Sequence, residues 1–204
     1  MSGRQAEAAR NDQRILEAAR AVFVADPGAP VSAVAERAGV GIGGLYRRYR
    51  SKEDLLLRLA SDGLARYLAE LEAALADEGD PWEAFAEFMR RCVDAGTSSI
   101  TRRLAGRFTP TAALQREGRR AAELTERLLD RTRAAGVLRR DVGVADLSLL
   151  FEQLQAIEVA DADRSRELRR RHLALLLDAL RRADADPLPG PPPTWAEMSA
   201  RYGD

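Results

Sequence analysis

GVGIGGLYRRYRSKEDL, Gly39 to Leu55, carries two properties that pull against each other. Four glycines crowd its first half, and each one inside a helix costs about 1 kcal/mol against alanine. Its second half gathers Arg47, Arg48, Arg50 and Lys52 around Tyr46 and Tyr49. A weak helix beside dense positive charge suits close approach to an anion. Near such a surface, missing side chains let the backbone and the helix N-terminus come in.

The flanks supply the frame. Upstream, Pro30 suits a first helical turn, and Val31, Val34, Ala35 and Ala38 recur at the spacing of a short buried helix. Gly39 stands where a left-handed residue ends it. Before that, Ile15, Ala18, Ala19, Val22 and Phe23 mark a first helix, with Asn11 or Asp12 as its cap and Asp26-Pro27-Gly28 as its break. The stretch itself predicts a short helix from about Gly41 to Tyr49. Its glycines leave Leu45, Tyr46 and Tyr49 to hold it on the bundle. Ser51-Lys52-Glu53-Asp54 has the form of a capping box and predicts a long helix carrying Leu55, Leu56, Leu59, Leu64, Leu68, Leu71 and Leu75. Two short helices joined at a glycine and braced by a third make a helix-turn-helix. The second of the pair lies in the DNA major groove with its N-terminal residues at base edges.

Beyond Glu78-Gly79 the pattern stays helical. Asp80 caps and Pro81 opens a helix carrying Trp82, Phe85, Phe88, Met89, Cys92 and Val93. Residues 96–108 read as irregular or briefly helical. Thr109-Pro110 opens a helix to about Ala135, Gly136 to Asp141 form a loop, and two helices follow, about Val144–Val159 and Arg164–Ala183. The last stretch, PLPGPPPTWAEMSARYGD from Pro187, reads as extended and polyproline-like, not core, with Trp195 free by default. There is no strand alternation and no internal repeat. The expectation is all-α, with about nine helices. A DNA-binding helix-turn-helix bundle spans 1–52, a helical body 53–184, and a Pro-rich tail 185–204.

Composition removes several classes. The chain has 204 residues and zero formal net charge, so no partner follows from the total. Within Met1–Lys52, however, nine basic side chains face five acidic ones, leaving the remainder acidic by the same margin. That polarity suits one DNA-facing end. The sole cysteine, Cys92, permits no internal disulfide and fits a reducing cytoplasm. No apolar run approaches the roughly 20 residues that cross a bilayer, and the first residues show no signal peptide. His172 is the only histidine, so no metal cluster follows. Gly41 to Gly44 lack the Gly-Lys-Ser/Thr ending of a phosphate-cradling loop. No acid–base pair marks an enzyme, and no cofactor is implied.

Val40 through Leu55 resembles the signature of the TetR (tetracycline repressor) family of bacterial transcriptional regulators, roughly Val-Ser-x-x-x-Leu-Tyr-x-x-Phe-x-Ser-Lys-Glu-x-Leu. The matching residues are Val40, Leu45, Tyr46, Ser51, Lys52, Glu53 and Leu55, with Gly41 and Tyr49 at the Ser and Phe positions. Upstream, Val34-Ala35-Glu36-Arg37-Ala38-Gly39-Val40 is similar to the family's Ile-Ala-x-x-Ala-Gly-Val. Downstream, Gly136 to Asp141 looks like the family loop before its last two helices, so the resemblance covers about Ile15 to Ala183.

The resemblance implies that Ser32 meets a phosphate or base edge, and that Gly41, Ile42 and Gly44 line the groove floor, Ile42 against a thymine methyl. It implies that Tyr46, Arg47 and Arg48 reach phosphates or guanine edges, and that Lys52 meets a phosphate. Read without it, Tyr46 and Tyr49 suit bracing the bundle equally well. Where the family often carries Ser, Thr or Lys, this chain has Gly41, Ile42 and Gly44, and Pro30 replaces Thr. Readout therefore leans on Arg47, Arg48 and DNA shape.

For the body, the resemblance implies a small-molecule effector pocket and a homodimer through the last two helices, matched to a twofold operator. Trp82, Phe85, Phe88, Met89, Phe108, Phe151 and Gln155 are its candidate walls, with Glu158 nearby; an aromatic stripe is equally plain core. Leu147, Leu150, Leu154, Leu168, His172, Leu175, Leu176 and Ala179 are the candidate dimer interface, against the alternative of intrachain core. The functional expectation is a ligand-responsive repressor released from a palindromic operator. The alternative is a dimeric helical interaction module with weakened operator reading.

Overall fold

The computed structural model describes residues 3–96, 108–181, 184–194 and 197–198. Among them are eight helices and no strand, so the chain is all-α: α1 Gly3–Ala25, α2 Val31–Ala38, α3 Ile42–Arg48, α4 Lys52–Ala76, α5 Pro81–Ala95, α6 Ala112–Ala134, α7 Val144–Gln155 and α8 Ala162–Leu180. The brief helix expected within 96–108 falls almost wholly outside the described residues.

Two compact units result. The first comprises 1–62 with the stretch that ends at Pro110; the second holds the rest. The division falls inside α4, between Asp62 and Gly63, ten residues beyond the expected boundary.

In the first unit, α1 packs on α2 and α2 on α3. Ile15, Ala19, Phe23, Val34, Leu45, Leu55, Leu56 and Leu59 are buried together with Tyr49. α1 begins at least eight residues before Asn11, so neither Asn11 nor Asp12 caps it. Asp12 is used elsewhere, as shown below. Ser51 Oγ accepts from Asp54 N–H at 3.1 Å, which starts α4 as the capping pattern requires. The return bond is donated by the Arg50 amide to Asp54 Oδ2 at 3.1 Å, one residue earlier than in the usual box.

The second unit has its own core. α5 packs against α6, α7 and α8, and Leu71, Phe85, Phe88, Met89, Leu129, Leu147, Phe151, Leu154 and Leu173 fill it. Caps set the helix ends. Asp80 accepts from Glu83 N–H at 3.0 Å. The third helix of the body is capped by Thr111, two residues later than Thr109, through the Leu114 amide at 3.2 Å. α7 stops at Gln155, before the expected Val159, because Asp161 caps α8 through the Arg164 amide at 2.7 Å. Ser165 Oγ ties that turn to the Val159 carbonyl at 3.1 Å. Arg131 closes the end of α4, donating to the Ala74 carbonyl at 3.0 Å and that of Asp77 at 2.5 Å.

The tail departs from expectation. Its described part is fastened to the α6–α7 loop: Leu188 N–H donates to Asp141 Oδ2 at 2.7 Å and Arg139 donates to the Asp186 carbonyl at 2.7 Å. Met198 is buried. Trp195 lies outside the described residues.

Candidate nucleic-acid interface

α2 and α3 meet at Gly39, whose φ of 65° is the left-handed conformation that glycine adopts without a Cβ penalty. The Gly39 amide returns to the Glu36 carbonyl at 3.1 Å and the Val40 amide to that of Ala35 at 3.0 Å, which closes α2 and redirects the chain.

α3 is seven residues long, and Leu45 is the side chain it buries. Tyr49, just past its end, is buried too. Tyr46 was expected to help hold the helix, but it is 47% exposed, beside Ile42 at 43%. These two are four residues apart and share one face. Arg47 lies next to them, exposed, with no ion pair or hydrogen bond among the described residues. A Cβ built on Gly41 or Gly43 would meet nothing within 4 Å, and one on Gly44 only the Arg47 guanidinium at 3.6 Å. Packing within the chain therefore does not require glycine at 41 or 43. Ser32, at the second position of α2, is exposed.

Two cations expected at phosphates are otherwise engaged. Lys52 Nζ donates to the Gly28 carbonyl at 3.0 Å and the Ala29 carbonyl at 2.6 Å. It lies 5.1 Å from the Phe23 ring centroid, a cation–π distance. Lys52 thus locks the α1–α2 loop, through carbonyls 24 and 23 residues back along the chain. Arg48 Nε donates to Asp12 Oδ1 at 2.7 Å, and the Tyr49 hydroxyl donates to the same oxygen. The Arg48 guanidinium beside Asp12 holds its carboxyl below the usual carboxylate range. Burial, then the bond to Asp12, pushes the Tyr49 phenol up. Arg14 donates to the Ala38 carbonyl at 2.9 Å, satisfying the end of α2. Sequence reasoning passed over Arg14 and gave Asp12 only a capping role, because their partners lie 24 to 37 residues away.

In the second unit, Trp82, Phe85, Phe88, Met89 and Phe151 are all buried. Phe108 is buried as well but belongs to the first unit. Gln155 spends its amide on the Val93 carbonyl at 3.0 Å, and Glu158 is exposed beyond the end of α7. Tyr67 was missed: its ring stands edge-on to Phe88 at 5.5 Å and to Phe151 at 6.4 Å. Thr125 Oγ1 donates to the Ala121 carbonyl at 2.7 Å. Its oxygen is therefore left to accept the Tyr67 hydroxyl at 3.0 Å.

The expected interface residues divide. Leu147 and Leu154 are buried in this chain's own core, because α7 turns that stripe inward with Phe151. Leu150, Leu168 and Leu176 are half-buried, and His172 and Ala179 are exposed. Leu175 is 61% exposed. No helix among the described residues is long and apolar enough to cross a membrane.

Comparison with known proteins agrees with this geometry. Residues 15–59 match the family described as bacterial regulatory proteins, tetR family, and residues 80–182 match the transcriptional regulator SbtR-like C-terminal domain. A TetR transcription regulatory protein from Mycobacterium vanbaalenii is 30% identical, with TM-score 0.55, over 87% of this chain and 98% of that one. A TetR regulator from Streptomyces coelicolor is 28% identical, with TM-score 0.57, over 83% and 97%. A TetR-like regulator from Mycobacterium smegmatis, solved in complex with proflavine, shares the fold at 20% identity and TM-score 0.60, over 88% and 99%. No curated protein sequence matches the chain.

Proposed function

The chain belongs to the TetR family of bacterial transcriptional regulators, which are DNA-binding factors and not enzymes, and we propose that it is a ligand-responsive repressor that binds a palindromic operator as a homodimer. The observation that carries the operator reading is the outer face of α3. Ile42, Tyr46 and Arg47 stand exposed beside Gly41 and Gly43, whose Cβ positions open onto empty space. A duplex can approach that backbone closely, with Arg47 free for a phosphate or a guanine edge and Ile42 for a thymine methyl. Ser32 at the start of α2 supplies a further phosphate contact.

Dimerisation is assigned to α8, where Leu175 and Ala179 are exposed beside half-buried Leu168 and Leu176, with Leu150 of α7 and His172 at the edge. Leu147 and Leu154 support that surface from within. The effector is a small molecule seated among Trp82, Phe85, Phe88, Met89 and Phe151, with Tyr67 and Thr125 as polar neighbours. A fold relative solved with proflavine supports an effector of small, aromatic type. Binding would favour a state in which the reading heads no longer match the operator, shifting the population away from DNA.

Fluorescence anisotropy with DNA flanking the protein's own gene, across a salt series, tests this reading. Selective binding that falls steeply with salt, at a slope of about −0.9 per phosphate neutralised, and that weakens in Arg47→Ala, is the expected result. Binding equal for any sequence and indifferent to Arg47 overturns it in favour of an interaction module. An effector that leaves operator affinity unchanged overturns the release mechanism.

A further inference from the structure

Asp12 is an acid placed where a DNA-binding surface has least use for one. Its carboxylate oxygen takes Arg48 Nε at 2.7 Å and the Tyr49 hydroxyl together. It is the better covered partner, with 17% of its side chain exposed against 43% for Arg48. The Tyr49 ring is buried, and Asp12 is the partner of its hydroxyl. The related signature has Phe at this position, so the hydroxyl arm is an addition in this chain.

α3 has few other anchors. Its first half offers Ile42, Gly43 and Gly44, none of them buried, and Leu45 is the side chain it sinks into the core. One apolar knob fixes a helix in depth but leaves it free to roll and tilt about that point. A second attachment, at the far end and to a different element, removes that freedom. The clamp from α1 to Arg48 and Tyr49 is placed to do so, and Arg47 directly precedes the clamped pair in the chain.

We propose that Asp12 is a positioning residue for DNA reading, clamping Arg48 and Tyr49 so that α3 presents Ile42, Tyr46 and Arg47 at one fixed angle. This rests on the operator reading above. It makes a prediction opposite to simple electrostatics. Removing an acid near a polyanion should tighten binding to every duplex. Removing a positioning residue should loosen binding to the chosen duplex alone, because a rolling helix still meets phosphates but no longer meets particular base edges.

The test uses the full-length chain and a duplex selected from a random pool by the wild type. Affinity for it and for a scrambled duplex is measured for wild type, Asp12→Ala, Asp12→Asn and Tyr49→Phe, together with amide hydrogen exchange over 42–49. Asp12→Ala is expected to lose about ten-fold on the selected duplex, the scale of coupled neighbours, to hold or gain on the scrambled one, and to exchange faster across α3. Asp12→Asn, which keeps an acceptor, should recover part of the loss. Tyr49→Phe should move the same way by less, and it decides the matter if Asp12→Ala does not fold. Affinities that rise together, or an unchanged affinity ratio with unchanged exchange, overturn the proposal. If the wild type selects no duplex, the operator reading fails and so does this role in it; faster α3 exchange in Asp12→Ala would then show only that the clamp orders the helix.

Discussion

The Lys52 ammonium sits 5.1 Å from the centre of the Phe23 ring and donates to the carbonyls of Gly28 and Ala29 at 3.0 and 2.6 Å. The one lysine in the sequence therefore joins the start of α4 to the end of α1 and the loop that follows it. Lys52→Met should cost the first unit about 1–2 kcal/mol, from two charge-assisted hydrogen bonds and a cation–π contact. Denaturant unfolding measures this. The salt slope of DNA binding should stay unchanged; a slope shallower by about 0.9 would return Lys52 to a phosphate.

Gly43→Ala separates the stability of α3 from its use. The added Cβ meets nothing within 4 Å, so the variant should gain about 1 kcal/mol of local helix stability, seen as slower amide exchange across α3. Operator affinity should nevertheless fall, because the methyl group stands where the duplex approaches. A variant that gains both stability and affinity would place the duplex elsewhere.

Leu175→Arg addresses assembly. A large apolar side chain 61% exposed on a helix face is the anchor expected of a subunit contact. The substitution should convert a dimer to a monomer in sedimentation equilibrium with helix content unchanged, and should abolish binding to a full palindrome more than to a half-site.

Acid should release the tail. Asp141 is held down to about 2, first by the Arg139 guanidinium and then by the Leu188 amide. A carboxyl whose folded value lies below its unfolded one contributes above the unfolded value, near 3.8, and that contribution is lost as pH falls towards 2. The amide shift of Leu188 should therefore titrate with a midpoint near 2, while unbonded tail amides stay flat. Asp141→Asn should lose the step.

Much of the fold was readable because its signals are local. Asp80 capping α5, Ser51 capping α4 and the left-handed Gly39 each act within a few residues, and the buried stripes of α2 and α5 repeat at helical spacing. What was not readable rests on contacts that sequence spacing does not show. Asp12 resembled a cap because it is a good capping residue, yet its partners lie 36 and 37 residues on. The family resemblance places Lys52 at a phosphate, while the carbonyls it holds in this structure lie 24 and 23 residues back. Leu147 and Leu175 looked equivalent on a helical wheel, and only packing turned one inward and left the other out. The proline-rich tail looked free because nothing in its composition names Arg139 and Asp141 as its holders.

The open space over Gly41 and Gly43 also bears on how such a protein changes over generations. A single-base change at the first or second position of a glycine codon brings in Ala, Ser, Val, Arg, Asp, Glu, Cys or Trp, according to the codon, or a stop. At most positions the fold would reject several of these through a clash, but here no neighbour stands within 4 Å to object. New side chains at these two sites are screened by whatever α3 reads and hardly at all by the stability of the domain. Preference for one sequence over another can then drift by single steps, each of which leaves a folded protein.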